Sequence, residues 1–193
     1  MHDSSDARAL LERSASCLLD SLSAVEESVL ESPTPCPKWS VRDLVLHVAE
    51  AADELVSRGN GSPAQPGSAT GPVAVARAHV VHLVAVVAQS PADDAEARST
   101  TEVALGGSIE LSAHAWDLDT ATGRPGLPLD HAADVLGLAQ RLVDDEARAA
   151  FFGPIVQVGA DASASDRLAA FLGRDPGWVT RTRSPRGVVW QQR

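Results

Sequence analysis

Glu110 and His114 stand four residues apart in the stretch GGSIELSAHAWDLD, and His47 lies far upstream in WSVRDLVLHVAE. On a helix, positions i and i+4 are neighbours on one face, so this carboxylate and imidazole would project toward a common point. A second helix carrying His47 to the same point would give two imidazoles and one carboxylate. That donor set suits zinc, nickel or ferrous iron, and three protein ligands leave one coordination position for water or substrate. By spacing alone the residues also describe an exposed Glu–His pair on a solvated helix, so convergence with His47 decides between the two readings.

Other residues invite chemistry less strongly. Asp117, three positions after His114, could orient that histidine through its second ring nitrogen or cap a neighbouring backbone group. Trp39 and Trp116 could wall a pocket or belong to the core. Cys36 precedes a helix start, where a thiolate is stabilised, but its proline neighbours favour a structural role; Cys17 falls on an apolar helix face. His79 and His82 are spaced as a ligand pair without a carboxylate nearby in sequence, which favours core or interface histidines. His131 reads as a solvated first-turn residue. Arg174 and Asp175 read as a local ion pair or turn, with an anionic substrate as the alternative for the arginine. The GGS run does not have phosphate-loop spacing, and no G-x-S-x-G elbow occurs.

These residues need helices to position them. Apolar positions recur at threes, fours and sevens from Asp6 to about Val29, which predicts a first helix. Three prolines in SPTPCPKWS demand an ordered turn. Ser40 with Asp43 has the form of a helix start signal, opening a second helix that carries His47. A Gly/Pro/Ser/Ala connector, expected to be mobile, spans 58–71. Pro72 begins a third helix, apolar nearly all round and expected to be buried, running to Gln89. The polar run 90–103 reads as a connection, and a further helix is expected from about Gly107 to Thr122, stopped by Gly123 and Pro125. Asp130 would cap a helix to about Ala149. The segment 151–176 contains a short β-prone stretch and then a brief helix from Ser163 to Leu172, and an irregular tail containing Arg and Trp completes the chain.

Composition narrows the function classes. A length of 193 residues suits one domain, and a core drawn from Ala, Leu and Val, with three Phe and no Tyr, favours packed helices over a sandwich. The net charge of −10 opposes attraction to nucleic acid or to an anionic membrane surface. The N-terminus lacks an apolar signal-peptide core, and no uncharged apolar run reaches the ~18 residues of a membrane span. A cytoplasmic protein with free thiols at Cys17 and Cys36 is expected.

The segments TPCPKWSVRDLVLHVAE and ELSAHAWDLDTATGRP resemble two motifs of the DinB-like metal-binding superfamily. The resemblance is to the branch of mycothiol-dependent maleylpyruvate isomerase N-terminal domains and small actinobacterial metal-binding proteins. The first motif runs from Thr34 through Cys36, Trp39, Ser40 and Asp43 to His47; the second runs from Glu110 through His114, Trp116, Asp117 and Leu118 to Gly123. The stretch FGPIVQVGADASASDRLAAFLGRDP resembles the C-terminal end of the small proteins in that branch. This resemblance implies an all-α fold, a DinB-like four-helix bundle over residues 1–176 with an additional short C-terminal helix, followed by an extension over 177–193. It implies a divalent metal, zinc first, with nickel or iron as alternatives, on His47, Glu110 and His114, and mycothiol as a thiol cofactor.

The function so implied is a thiol-dependent S-transferase or isomerase acting on a small electrophile. The alternatives are a non-catalytic small-molecule-binding bundle of a biosynthetic or stress pathway and a metal-dependent hydrolase. Expected partners are a small-molecule substrate and a low-molecular-weight thiol, with no nucleic acid and no membrane, and a homodimer is compatible with the chain. The isomerase carries a further C-terminal domain for which this chain has no room, so maleylpyruvate isomerisation itself is not carried over. Asp119 stands where the family more often has a small residue.

Overall fold

The structure is a computed structural model that describes residues 4–37, 39–65, 67–90 and 94–179, with backbone alone over 94–97. Residues 180–193, most of the C-terminal extension read from sequence, lie outside the described residues. Those described form an all-helical fold without a strand: α1 (Ser4–Ser23), α2 (Val41–Arg58), α3 (Pro72–Gln89), α4 (Asp94–Thr122), α5 (Leu129–Leu142), α6 (Asp145–Phe151) and α7 (Ala164–Phe171). Helix α1 packs on α4 and α3, and α2 packs on α3 and α4, which closes a four-helix ring. Helices α5 and α7 pack on each other and add a second layer over α4.

Helix α4 is longer than its sequence suggests. It begins at Asp94, not near Gly107, because the polar-looking run conceals a helical stripe: Thr100, Val103, Ala104, Gly107 and Ser108 face the interior. From Leu111 to Asp119 every residue is buried, since α1 and α2 cover one side and α5 and α7 the other. Gly107 lets the bundle close around this helix. A Cβ there would lie 3.0 Å from Leu11 Cδ1 and 3.4 Å from Leu55 Cδ1. The helix ends in a Schellman motif, with Gly123 at φ 75° and the Arg124 amide donating to Asp119 O at 2.7 Å.

Other expectations need correction. Helix α1 ends at Ser23, after which Ala24 and Val25 make tighter i→i−3 bonds, and a 3₁₀ turn spans Glu27–Val29. Helix α5 begins after Pro128, with Asp130 inside its first turn, and it does not reach Ala149. Val143 leaves helical geometry, and Asp144 accepts the Ala147 amide at 2.8 Å to start α6. The β-prone stretch is irregular, tied to α7 by the Val156 amide donating to Ala170 O at 2.9 Å. Helix α3 is long and apolar enough by length and composition to cross a bilayer. Yet it takes a place in the ring, burying Ala76, Val80, Leu83 and Val87 while Val81 stays exposed. It is therefore buried on one side only, because α1 and α2 are its main neighbours.

Two histidines also differ from their sequence reading. His131 is buried, with Nε2 3.0 Å from Ser112 Oγ and 3.4 Å from Ser14 Oγ, and burial lowers its pKa. His79 does have a carboxylate beside it, for α2 brings Asp53 Oδ1 to 2.9 Å from Nδ1, without hydrogen-bond alignment. His82 Nε2 meets Ser62 O at 2.9 Å.

Replacing Gly107 with Val should force branched carbon into Leu11 and Leu55. The expected cost is about 1–3 kcal/mol, as for overpacking generally, read as a lower urea midpoint with an unchanged m-value.

Candidate metal centre

Helix α2 is started by a reciprocal capping box. Ser40 Oγ accepts the Asp43 amide at 3.2 Å and Asp43 Oδ2 accepts the Ser40 amide at 2.9 Å. The Ser40 hydrogen bonds hold the exposed Asp43 carboxyl below its ordinary pKa. Val41, Leu44, Val45 and Val48 then anchor α2 in the core, which leaves His47 on the flank that turns toward α4.

The three sequence-read residues converge. Glu110 Oε1 lies 3.3 Å from His47 Nε2 and 3.0 Å from His114 Nε2, and the donor atoms of all three residues fall within 4.8 Å of one another. Tetrahedral bonds of about 2.0–2.2 Å would set adjacent donors about 3.3–3.6 Å apart, and the two Glu110–histidine separations lie at or just below that spacing. The alternative of an exposed Glu–His pair fails because His114 is buried and the partner helix supplies His47. The rings of His47 and His114 meet edge to face, with centroids 5.0 Å apart. Trp39 lies over His47 at 4.5 Å between centroids and so walls the site, whereas Trp116 is a core residue.

Behind His114 stands a second set of groups. Its Nδ1 lies 3.1 Å from Asp117 Oδ2, so α4 places carboxylates on both nitrogens of one ring, at i−4 and i+3. Cys36 Sγ donates to the same Asp117 oxygen at 3.1 Å. Arg174 closes the set: Nη2 donates to Asp117 Oδ2 at 3.0 Å and Nε to Oδ1 at 3.3 Å. Arg174 is thus not the local partner of Asp175 that the sequence suggested. Gly173, at φ 81°, ends α7 in a Schellman motif, and the Arg174 amide donates to Ala169 O at 2.9 Å, turning the arginine inward. Nothing in the sequence connects Arg174 with Asp117, 57 residues earlier.

Charge accounts for the titration of these groups. Burial would raise the Asp117 pKa, but Arg174 and then His114 overcome it and hold the carboxyl at about 2. Burial likewise opposes ionisation of Glu110, yet His114 and His47 keep it well below the usual carboxylate range. Burial alone would depress His114; Glu110, followed by Asp117 and Cys36, raises it well above its ordinary value. Burial raises the Cys36 thiol, so it is a hydrogen-bond donor rather than a ready thiolate, in keeping with a structural role. Asp119 is buried too, and Arg124 Nε pairs with its Oδ1 at 2.9 Å, which explains how an acid is tolerated there.

A cavity of about 250 Å³ opens beside the cluster, with His47 and Glu110 forming part of its wall. The rest of the wall comes from α2, α4 and the segment 142–152. This last contribution depends on the helix break at Val143, which the continuous apolar spacing of the segment conceals.

Asp117→Ala should strand the Arg174 guanidinium and destabilise the protein by about 3–5 kcal/mol, while Asp117→Ala with Arg174→Met should recover much of that loss. Chemical denaturation of both variants checks this. The depressed Asp117 pKa also stabilises the fold above its unfolded value near 3.8, and that contribution is lost as pH falls from about 4 through about 2. The corresponding loss is about 2 kcal/mol and should be missing from the pH profile of the double variant.

A family model described as the mycothiol maleylpyruvate isomerase N-terminal domain matches residues 11–119, a span that contains His47, Glu110 and His114. The C-terminal stretch with Arg174 lies beyond it. Two Mycobacterium tuberculosis proteins, the uncharacterized protein MT0763 of strain CDC 1551 / Oshkosh and the uncharacterized protein Rv0738 of strain ATCC 25618 / H37Rv, are similar to the chain. Each is 31% identical over 166 residues, covering 79% of this chain and 89% of its own length. No solved structure matches. The helical fold and the match over more than half its length mean that this chain belongs to the mycothiol maleylpyruvate isomerase N-terminal domain family.

Proposed function

We propose that the chain binds one divalent ion, zinc before nickel or iron, through His47 Nε2, Glu110 Oε1 and His114 Nε2. In this reading it uses the ion to activate a low-molecular-weight thiol against a small electrophile. The observation that carries the reading is the meeting of three donor atoms from two helices, 3.0 and 3.3 Å apart, at the wall of a cavity. Family membership favours mycothiol as the thiol. Residues 1–176 would form the functional unit and 177–193 an extension, and a reducing cytoplasm would keep both the small thiol and the free Cys17 and Cys36 reduced.

A bound divalent ion supplies Lewis acidity, which lowers the pKa of a thiol or water in its open position. The chain's own residues set up that position. Asp117 accepts from His114 Nδ1, which leaves Nε2 as the donor toward the cluster, and Arg174 balances the Asp117 charge. Glu110 contributes the negative charge that two neutral imidazoles lack. The thiol proton departs to solvent through the cavity mouth, and the sulfur forms its bond to the electrophilic carbon. Loss of a leaving group then completes an S-transfer, whereas rotation and C–S cleavage complete an isomerisation.

Zinc titration of chelator-treated protein should reach about one ion per chain. His47→Ala and His114→Ala should each lower affinity by at least tenfold while retaining the helical circular dichroism spectrum; wild-type protein that binds no divalent ion would sink the proposal. Because His114 must lose the proton that Glu110 and Asp117 favour, affinity should rise with pH. Consumption of electrophiles should require added mycothiol, and turnover without thiol would instead indicate hydrolysis by metal-bound hydroxide.

A further inference from the structure

We infer that the cavity beside His47 and Glu110 accepts a compact, largely apolar molecule about one ring in size, carrying one ligating group with oxygen or sulfur donors directed at those residues. The selectivity comes from segment 142–152, outside the family-matched span. The position of the donor atom rests on the metal reading above; the apolar selectivity of the cavity does not.

Size is the first support. About 250 Å³ falls just below the ~300–1,000 Å³ usual for drug-sized ligands. Chemistry is the second. Ala51, Gly106, Ile109, Val143, Phe151 and Phe152 line the space, and Phe151 is 64% exposed although it borders a cavity. An occupant would cover that ring and remove its apolar area from water. Third, the cations near the site are already engaged: the cavity-lining Arg58 pairs with Glu54 in an exposed i,i+4 contact, and Asp117 holds Arg174 behind His114. A dianionic acid would have to draw Arg58 away from Glu54 or leave its second carboxylate against carbon, and a sugar-bearing thiol would leave hydroxyls against carbon, each at a cost. A thiol of that type therefore reaches the donor cluster from the mouth, with its polar body in solvent.

The selective wall is fixed in place. Asp144 caps α6, while Arg148 Nη1 donates to Phe171 O at 2.7 Å and Gly153 O at 3.1 Å, and its guanidinium lies 4.6 Å from the Phe171 ring centre. Gly106 offers a direct way to fill the space, because a Cβ added there meets nothing within 4 Å. A leucine at that helical position enters the cavity without backbone strain and with better helix propensity.

Calorimetry on zinc-loaded protein should compare benzohydroxamate, acetohydroxamate and maleate. Benzohydroxamate should bind at least tenfold more tightly than acetohydroxamate, with maleate weaker than benzohydroxamate. Gly106→Leu should erase the tenfold preference with zinc content unchanged. Equal hydroxamate affinities, a preference for maleate, or a preference that survives Gly106→Leu would overturn the inference. Should Gly106→Leu not fold, Phe151→Ala, at an exposed position, replaces it and should reduce the preference at least threefold. Should the protein bind no zinc, indole is titrated into metal-free protein. Saturable NMR shifts at Ala51, Ile109 and Ala147 that vanish in the filled variant support the cavity assignment even as the metal reading fails; no shifts overturn it.

Discussion

One buried imidazole flanked by two carboxylates governs the arrangement of this molecule. His114 sits in the most enclosed part of α4, with Glu110 on Nε2 and Asp117 on Nδ1. Two acids around one ring in a low-dielectric interior would repel each other and resist burial. The fold answers the inner one with Arg174, delivered by the turn after α7, and leaves the outer one half-exposed at a cavity wall beside His47. The second layer of helices is consequently more than cover. It completes the charge balance of a residue on the central helix and fixes the face of His114 that points outward.

That demand explains the use of small residues along α4. A helix that must be buried through Leu111–Asp119 while admitting α1, α2, α5 and α7 has little room for large side chains on every face. Gly107 brings α1 and α2 close, and Ser112 meets Ser14 and His131 through hydroxyls rather than bulk. The buried hydroxyls of Ser14 and Ser112 and the carboxylate of Asp117 are paired across elements, as buried polar atoms require, whereas His131 Nδ1 has no hydrogen-bond partner among the described residues. The helix-start box at Ser40 and the Schellman turns after α4 and α7 then fix the three helix ends that bear directly on the site.

Much of the fold and the three converging residues were legible because they depend on local rules. An i,i+4 pair fixes Glu110 relative to His114, and the Ser40–Asp43 box fixes the register of His47. The break between α5 and α6 was not legible: Val143 and Asp144 sit within a run whose apolar spacing continues through them. Arg174 was hidden for another reason. Its neighbour Asp175 offers an opposite charge at no loop-closure cost, and only the geometry of the Gly173 turn sends the guanidinium to Asp117 instead. His131 was misread because a first-turn polar residue is usually solvated, yet packing against α1 and α4 buries it.

The cavity and the donor cluster make sense together as an electrostatic design. On the proposed reading, a divalent charge is offset once by Glu110, while the Asp117–Arg174 pair is neutral as a unit, leaving one positive charge facing apolar walls. A single anionic donor such as a thiolate would neutralise it beside carbon walls, where the attraction is stronger than in bulk water. A second anionic group on the same molecule would meet, among the cavity-lining residues, only Arg58, which Glu54 already pairs. Apolar walls therefore do two jobs at once: they deepen the attraction for one negative atom and penalise a second. On the same reading the segment after α5 would contribute to specificity without supplying a donor atom, because Phe151 and Phe152 form part of the carbon wall beside His47 and Glu110.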